Sequence, residues 1–200
     1  GNFTDKNVCR GNDIAVDFAQ NQSTTGTPTG FQWQSRTGVG ATWINLQEST
    51  EKIGVNTKVL TLRNIQDSLQ YRCNVTFGSS SGSCSESTDD FYIYPVDFPT
   101  KPADLTFEFC QNSTSPNLGI VAPTGGQVLY YSSLHSGEYS TLQPIISTIN
   151  VGNQTQYFSI KNSADCESQK SLISITIAPS PQAPIILTNS PRMFGDTLKF

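Results

Sequence analysis

The sequence predicts an all-β chain of tandem antiparallel β-sandwiches. Three observations carry this. Short apolar runs alternate with a period of two, clusters of Gly, Pro, Asn and Ser separate them, and the strand plan of the first half returns in the second. A chain of 200 residues, 36% hydrophobic and only 14% charged, has enough apolar material for two cores.

In chain order, Ile14, Val16 and Phe18 fall on one strand face, followed by Phe31 and Trp33, Leu60 and Leu62, and Tyr71, Cys73 and Val75. Phe91 to Tyr94 completes the set and Pro95 stops it. Asp97 to Pro102 reads as a connector, because its prolines cannot donate to a strand ladder. The second half offers Leu105, Phe107 and Phe109; Leu118 and Ile120; Val128 and Tyr130; Phe158 and Ile160; and Leu172 to Ile177. Pro179, Pro181 and Pro184 form a second connector. Beyond it, Arg192 to Leu198 matches Val8 to Ile14 in pattern, an apolar pair around Gly followed by a polar turn. The predicted units are therefore 1–97, 98–180 and a truncated third at 181–200, a fragment of a longer array.

Within the first unit, Trp33 and the run from Leu60 to Cys73 resemble an immunoglobulin domain. There a buried Trp packs near a Cys, and a Tyr two residues before that Cys bonds back to the backbone at a corner, which makes Trp33 and Tyr71 the core signature. The departure is on the second strand, which carries Ile14, Val16 and Phe18 where a partner for Cys73 would sit. Val8-Cys9-Arg10-Gly11, Phe31 to Ser35, Gly40 to Leu46 and Tyr71 to Val75 in the first unit, with Phe109 to Asn112 and Asn162 to Ser168 in the second, carry a more specific likeness. Together they resemble the immunoglobulin-like repeats of large Bacteroidota surface proteins, of the gliding-motility adhesin type, and accessory modules of secreted polysaccharide-degrading enzymes. The resemblance implies export to a bacterial cell surface and a part in adhesion or gliding.

Five cysteines point to a disulfide-permissive compartment and leave one thiol over. The second unit holds only Cys110 and Cys166, which makes them its natural pair. Aligning the units sets Cys9 with Cys110 and Cys84 with Cys166, which favours Cys9–Cys84 and leaves Cys73 as a free thiol in the core. Cys9–Cys73 and Cys73–Cys84 stay open. No CxxC occurs and His135 is the only histidine, so neither zinc nor any other metal or cofactor is expected.

Catalysis finds little to build on. His135 lies in what reads as an exposed hairpin tip, without an orienting partner or cleft. Asp89 and Asp90 are adjacent, so on a strand they face opposite sides and read as a solvated strand entry rather than a glycosidase pair or calcium site. Ser35 to Trp43 resembles the Asp-box hairpin of sialidases but has one extra residue and Thr37 in place of Asp, so this single degraded copy reads as a hairpin and not an active site. Trp43 is a candidate sugar platform or a sheet cover. Tyr92, Tyr94, Tyr130, Tyr131 and Tyr139 are candidates for a surface recognition patch or for strand and junction packing. Five Asn-x-Ser/Thr sequons, at Asn2, Asn21, Asn74, Asn112 and Asn153, would mark glycans in a eukaryotic secreted protein. The bacterial resemblance implies O-glycosylation at Asp-Ser/Thr-aliphatic patterns instead, placing candidates at Ser68 and Thr197.

A net charge of -4 and a pI near 4.9 oppose binding to a phosphate backbone, and no apolar run is long enough for a membrane helix. The expected function is a non-catalytic stalk or display segment of an extracellular adhesin. Its partners would be neighbouring immunoglobulin-like domains and, at the surface, polysaccharide or other proteins. The alternative is a carbohydrate-binding or accessory module of a secreted multidomain enzyme.

Overall fold

A computed structural model describes residues 3–18, 27–79 and 82–183. Thirteen strands are formed there. Every strand pairing stays within β1 to β9 or within β10 to β13, giving two separately cored units.

In the first unit one sheet runs β1 (Lys6–Cys9), β9 (Phe91–Val96), β7 (Leu69–Ser79), β3 (Pro28–Arg36), β4 (Ile44–Asn45), and β8 (Gly82–Ser87) also pairs with β7. The facing sheet is β2 (Ile14–Asp17), β6 (Val59–Leu62), β5 (Lys52–Ile53). Strands two, six and five against three, seven and the final pair is the immunoglobulin-like division of a sandwich. β8 and β9 follow one edge of β7, interrupted at Thr88–Asp90, where the register slips by one residue: Asn74 faces Ser87 but Tyr71 faces Phe91. Alternation buries Trp33, Cys73 and Val75 from one sheet against Val16, Leu60 and Leu62 from the other. Trp33 lies directly opposite Cys73, its ring meets Phe3 edge-on at 5.8 Å, and its indole Nε1–H donates to Thr57 O at 2.9 Å.

The second unit is half sheet and half irregular chain. β10 (Leu105–Cys110), β13 (Ser171–Ala178), β12 (Gly152–Lys161) and β11 (Gln127–Tyr131) form its one sheet, with β10 parallel to β13. Ile173, Ile175 and Ile177 alternate into the core. Opposite them, Leu118 and Ile146 come from segments without strand structure, so the predicted strand at Leu118 and Ile120 is not formed. The reason is local. The Gln143 side chain accepts from Leu118 N at 2.7 Å and donates to Pro116 O at 2.9 Å, occupying groups a strand ladder would use, and Gly119 turns with φ of 65°. Residues 184–200, which hold Thr197 and all but the first three residues of the third unit, lie outside the described residues.

The cysteine pairing differs from both expected disulfides. Cys9 bonds Cys166, across the two units, with Cα atoms 5.5 Å apart, while Cys84 and Cys110 are exposed and unbonded. Strand direction explains this. Cys9 faces Val96 at the end of β9, whereas Cys84 precedes Val96 by twelve residues of a nearly continuous strand path, ~40 Å at ~3.3 Å per residue. Likewise Cys110 faces Ala178 at the end of β13, whereas Cys166 precedes its beginning. A disulfide needs Cα atoms within about 7 Å, so neither pair within a unit can close. Cys73 is fully buried and in no disulfide.

Candidate functional site

The most elaborated site is the junction between the units. β1 and β9 run parallel and end together, so Cys9 and Val96 leave the first sheet side by side. Arg10 N donates to Val96 O at 2.8 Å, its Nε meets Asp97 Oδ1 at 2.5 Å, and its guanidinium also reaches Gln66 O. From the second unit, the turn after β12 is shaped by one side chain: Asn162 Oδ1 accepts from Ala164 N and Cys166 N, both at 3.0 Å. Asp165 completes the turn with φ of 63°, a conformation that Asp tolerates better than most residues. Asn162 Nδ2 then donates to Asp97 O at 3.2 Å. The turn thereby presents Cys166, fully buried, to Cys9. Asn162, Asp97 and Arg10 carried no sequence signal as a group, because their partners lie up to 87 residues away.

A second cluster occupies the outer face of the larger sheet. Trp43, on the β3–β4 hairpin, has the guanidinium carbons of Arg36 and Arg72 each 4.4 Å from its ring centroid. Arg36 is held by Asp90 at 2.7 Å and Gln70 at 2.7 Å; Arg72 donates to Gln34 at 2.7 Å, and Gln34 donates to Asn45 at 2.7 Å. Partial burial, and then the Arg36 charge, hold Arg72 below the usual guanidinium range. With two cations over its π system, at roughly 0.5–1 kcal/mol each, Trp43 is engaged rather than open. Asp90 is therefore an ion-pair partner and not merely a solvated strand entry, and Asp89 is exposed beside it.

The remaining candidates are scattered. Tyr71 is buried against Phe91 with ring centroids 6.0 Å apart, and burial, reinforced by the Asp67 charge, pushes its phenol up to about 12. Among the described residues its hydroxyl makes no corner bond to the backbone. Tyr130 and Tyr131 are buried, which removes them from a surface patch. The Tyr131 hydroxyl donates to Glu167 at 2.6 Å under the Lys170 ammonium, 3.7 Å above the ring. Tyr92 and Tyr94 stack at 5.1 Å on β9, and Tyr139 is exposed. His135 is exposed in the loop that Lys170 ties down through Leu134 O and Ser136 O. Ser68 is exposed just before β7 and Asn112 is exposed on the turn after β10, whereas Asn74 and Asn153 sit within the paired strands β7 and β12. Asn2 and Asn21 lie outside the described residues. No group of three metal-ligating side chains comes together among the described residues.

No family model matches the chain, and no curated protein matches it. Among solved structures it is similar to the fibronectin(III)-like modules of Clostridium thermocellum CbhA, at 11% identity and a TM-score of 0.41 over 88% of this chain and 90% of that one. It is also similar to the N-terminal four Ig domains of Dscam1 isoform 1.9, at 15% identity and a TM-score of 0.36, spanning 88% of this chain and 44% of that one. Chicken CNTN1 FN1-FN3 is a third likeness, at 10% identity and a TM-score of 0.32 over 90% and 68% of the two chains. These are remote likenesses, none to a Bacteroidota adhesin, and the fold assignment rests on the strand order described above. No helix among the described residues is long and apolar enough to cross a membrane.

Proposed function

We propose that this chain is a non-catalytic stalk segment of an extracellular adhesin, holding immunoglobulin-like units in series so that a distal surface is displayed for attachment or gliding. The observation that carries the reading is the Cys9–Cys166 disulfide, a covalent clamp between consecutive units beside a connector containing Pro99 and Pro102. Such a clamp limits the swing that a short connector alone permits, which suits a spacer. A disulfide also suits an oxidising compartment, in keeping with a surface location. The adhesin and gliding assignment draws on the resemblance carried by Val8 to Gly11, Gly40 to Leu46 and Asn162 to Ser168. Carbohydrate recognition has less support, since it needs an open aromatic platform and Trp43 is covered by two guanidinium groups.

Small-angle scattering of the oxidised and reduced protein tests the spacer reading. Reduction is expected to broaden the distribution of distances between the two units while circular dichroism stays unchanged. An unchanged distribution, or free thiols at Cys9 and Cys166 in the oxidised protein, would overturn it.

A further inference from the structure

Two guanidinium groups share the outer face of the larger sheet in the first unit, and the structure provides a counter-ion for one of them. In the antiparallel β3–β7 pairing Gln34 faces Arg72 and Arg36 faces Gln70, so the two arginines are diagonal neighbours on the same side. Trp43 lies against both, with each guanidinium carbon 4.4 Å from its ring centroid. The hydrogen bonds divide the pair unequally. Arg36 directs Nη2 to Asp90 Oδ2 and Nε to Gln70 Oε1, each at 2.7 Å. Gln70 Nε2 donates to that same Asp90 oxygen at 3.2 Å, so the carboxylate belongs to the Arg36 side of the cluster. Arg72 gives only its Nε, to the neutral Gln34 Oε1 at 2.7 Å; among the described residues its terminal nitrogens have no acceptor. Gln34 is itself fixed by donating to Asn45 Oδ1 at 2.7 Å.

Arg72 is thus a half-buried guanidinium held at its base by an amide and along its plane by an aromatic ring, with the fork at its tip unused. A planar fork matches a carboxylate, which accepts two parallel N–H bonds, and holding it in place beforehand lowers the ordering cost of binding. Charge points the same way. Two guanidinium groups against the one Asp90 carboxylate leave an excess of one positive charge on this face, in a chain whose net charge is -4. Glu86 on β8 faces Val75 and therefore falls on the side of the sheet opposite Arg72.

The surroundings select the kind of carboxylate. Asn74, two residues along the same face of β7, has a side-chain amide without a partner among the described residues, and Asn45 is exposed beside Gln34. Amides donate and accept, as sugar hydroxyls do. An aliphatic anchor for a peptide is missing from this face: Ile44, exposed on the same hairpin, faces Ser35 and lies on the other side of β4. We propose that the Arg72 fork binds the carboxylate of a uronic-acid polysaccharide, with the Asn74 amide meeting a neighbouring sugar hydroxyl. The guanidinium groups that close Trp43 to stacking by a neutral sugar ring supply an ionic contact for a charged one. The inference goes beyond the spacer reading and does not rest on it.

Titration calorimetry of the whole chain at low ionic strength tests it, with oligogalacturonate as the acidic sugar, a galacto-oligosaccharide of equal length as its neutral counterpart, and oligoglutamate as the acidic peptide. Oligogalacturonate is expected to bind, the neutral sugar to give no binding heat, and oligoglutamate to bind at least about tenfold more weakly. Arg72→Gln should weaken oligogalacturonate binding at least about tenfold, and Arg72→Lys, which keeps the charge and loses the fork, should weaken it too. Arg63→Gln removes the same charge next to the other sheet, where Arg63 lies 3.6 Å from Asp13, and should leave binding unchanged. In the unsubstituted chain the Trp43 indole resonance should move on titration while that of the buried Trp33 stays, a readout that needs no variant to fold. Absence of oligogalacturonate binding would overturn the proposal, as would equal losses in Arg63→Gln and Arg72→Gln, full binding by Arg72→Lys, oligoglutamate or neutral sugar bound as tightly, or an unmoved Trp43 resonance. None of these outcomes touches the Cys9–Cys166 clamp, so the spacer reading is decided by scattering alone.

Discussion

Cys73 faces Trp33 across β7 and β3, and its backbone N donates to Thr88 Oγ1 at 2.9 Å. Burial pushes its thiol up to about 12, so the thiolate needed for alkylation is scarce while the fold persists. Native alkylation followed by peptide mapping should label the exposed Cys84 and Cys110 and spare Cys73 until denaturant is added. Two phenols give a second prediction at this scale. Tyr71 and Tyr131 are both pushed up to about 12, mainly by burial, from an unfolded value near 10. As pH rises through 10 the unfolded chain loses these protons first, so the folded state binds more of them and its stability falls between about pH 10 and pH 12. The loss is on the order of 2 kcal/mol for Tyr71 and smaller for Tyr131, whose environment is better screened by solvent. Urea midpoints measured across that range should drop, and Tyr71→Phe should flatten part of the slope. Trp33 and Tyr71 were legible as core residues from their spacing to Cys73. The partners of Arg36, Arg72 and Asn162 were not, because side-chain contacts between distant strands leave no local pattern.

The loop joining β5 to β6 shows how an element is fixed by a few groups. Glu48 accepts from Gly54 N at 2.9 Å and Val55 N at 3.1 Å, and Trp33 N donates to Val55 O at 2.9 Å. The same loop supplies Thr57 O to the buried indole. Gly54 has φ of 79°, and a Cβ there would collide with the Val59 carbonyl oxygen. Gly54→Ala should therefore destabilise the first unit by about 1–3 kcal/mol, whereas Gly38→Ala, in open space, should change stability by less than about 0.5 kcal/mol. Denaturation followed by tryptophan fluorescence reads both. Period-two alternation located β2, β3, β6, β7 and β9 to β13, since a half-buried strand imposes that pattern on its sequence. β4 and β5 are two residues each, too short to show a period. The Leu118–Ile120 segment shows the converse: the apolar residues do reach the core, but Gln143 satisfies their backbone and no ladder forms.

Across the whole molecule, the sequence carried the number of cysteines and their oxidising setting but not their pairing, because pairing depends on which end of each sheet a loop reaches. With parallel first and last strands in both units, Cys9 and Cys110 fall at the opposite end of their own sheet from Cys84 and Cys166, and Cys9 finds its partner in the neighbouring unit. The disulfide, with 157 residues of separation, ties a strand end of one unit to a turn of the other and belongs to neither hydrophobic core cluster. Its effect should be confined to the junction. Hydrogen exchange of Cys9→Ser against the unsubstituted chain tests this. The Arg10 amide, bonded to Val96 O, and the Cys166 amide, bonded to Asn162, should exchange faster, because the turn and the strand end they belong to lose their tether. The amides of β7 and β13, which pair inside their own sheets, should keep their protection. Faster exchange in those strands as well would mean that the clamp supports the folding of the units and does more than orient them. The molecule would then be one cooperative body rather than two sandwiches joined at a covalent hinge.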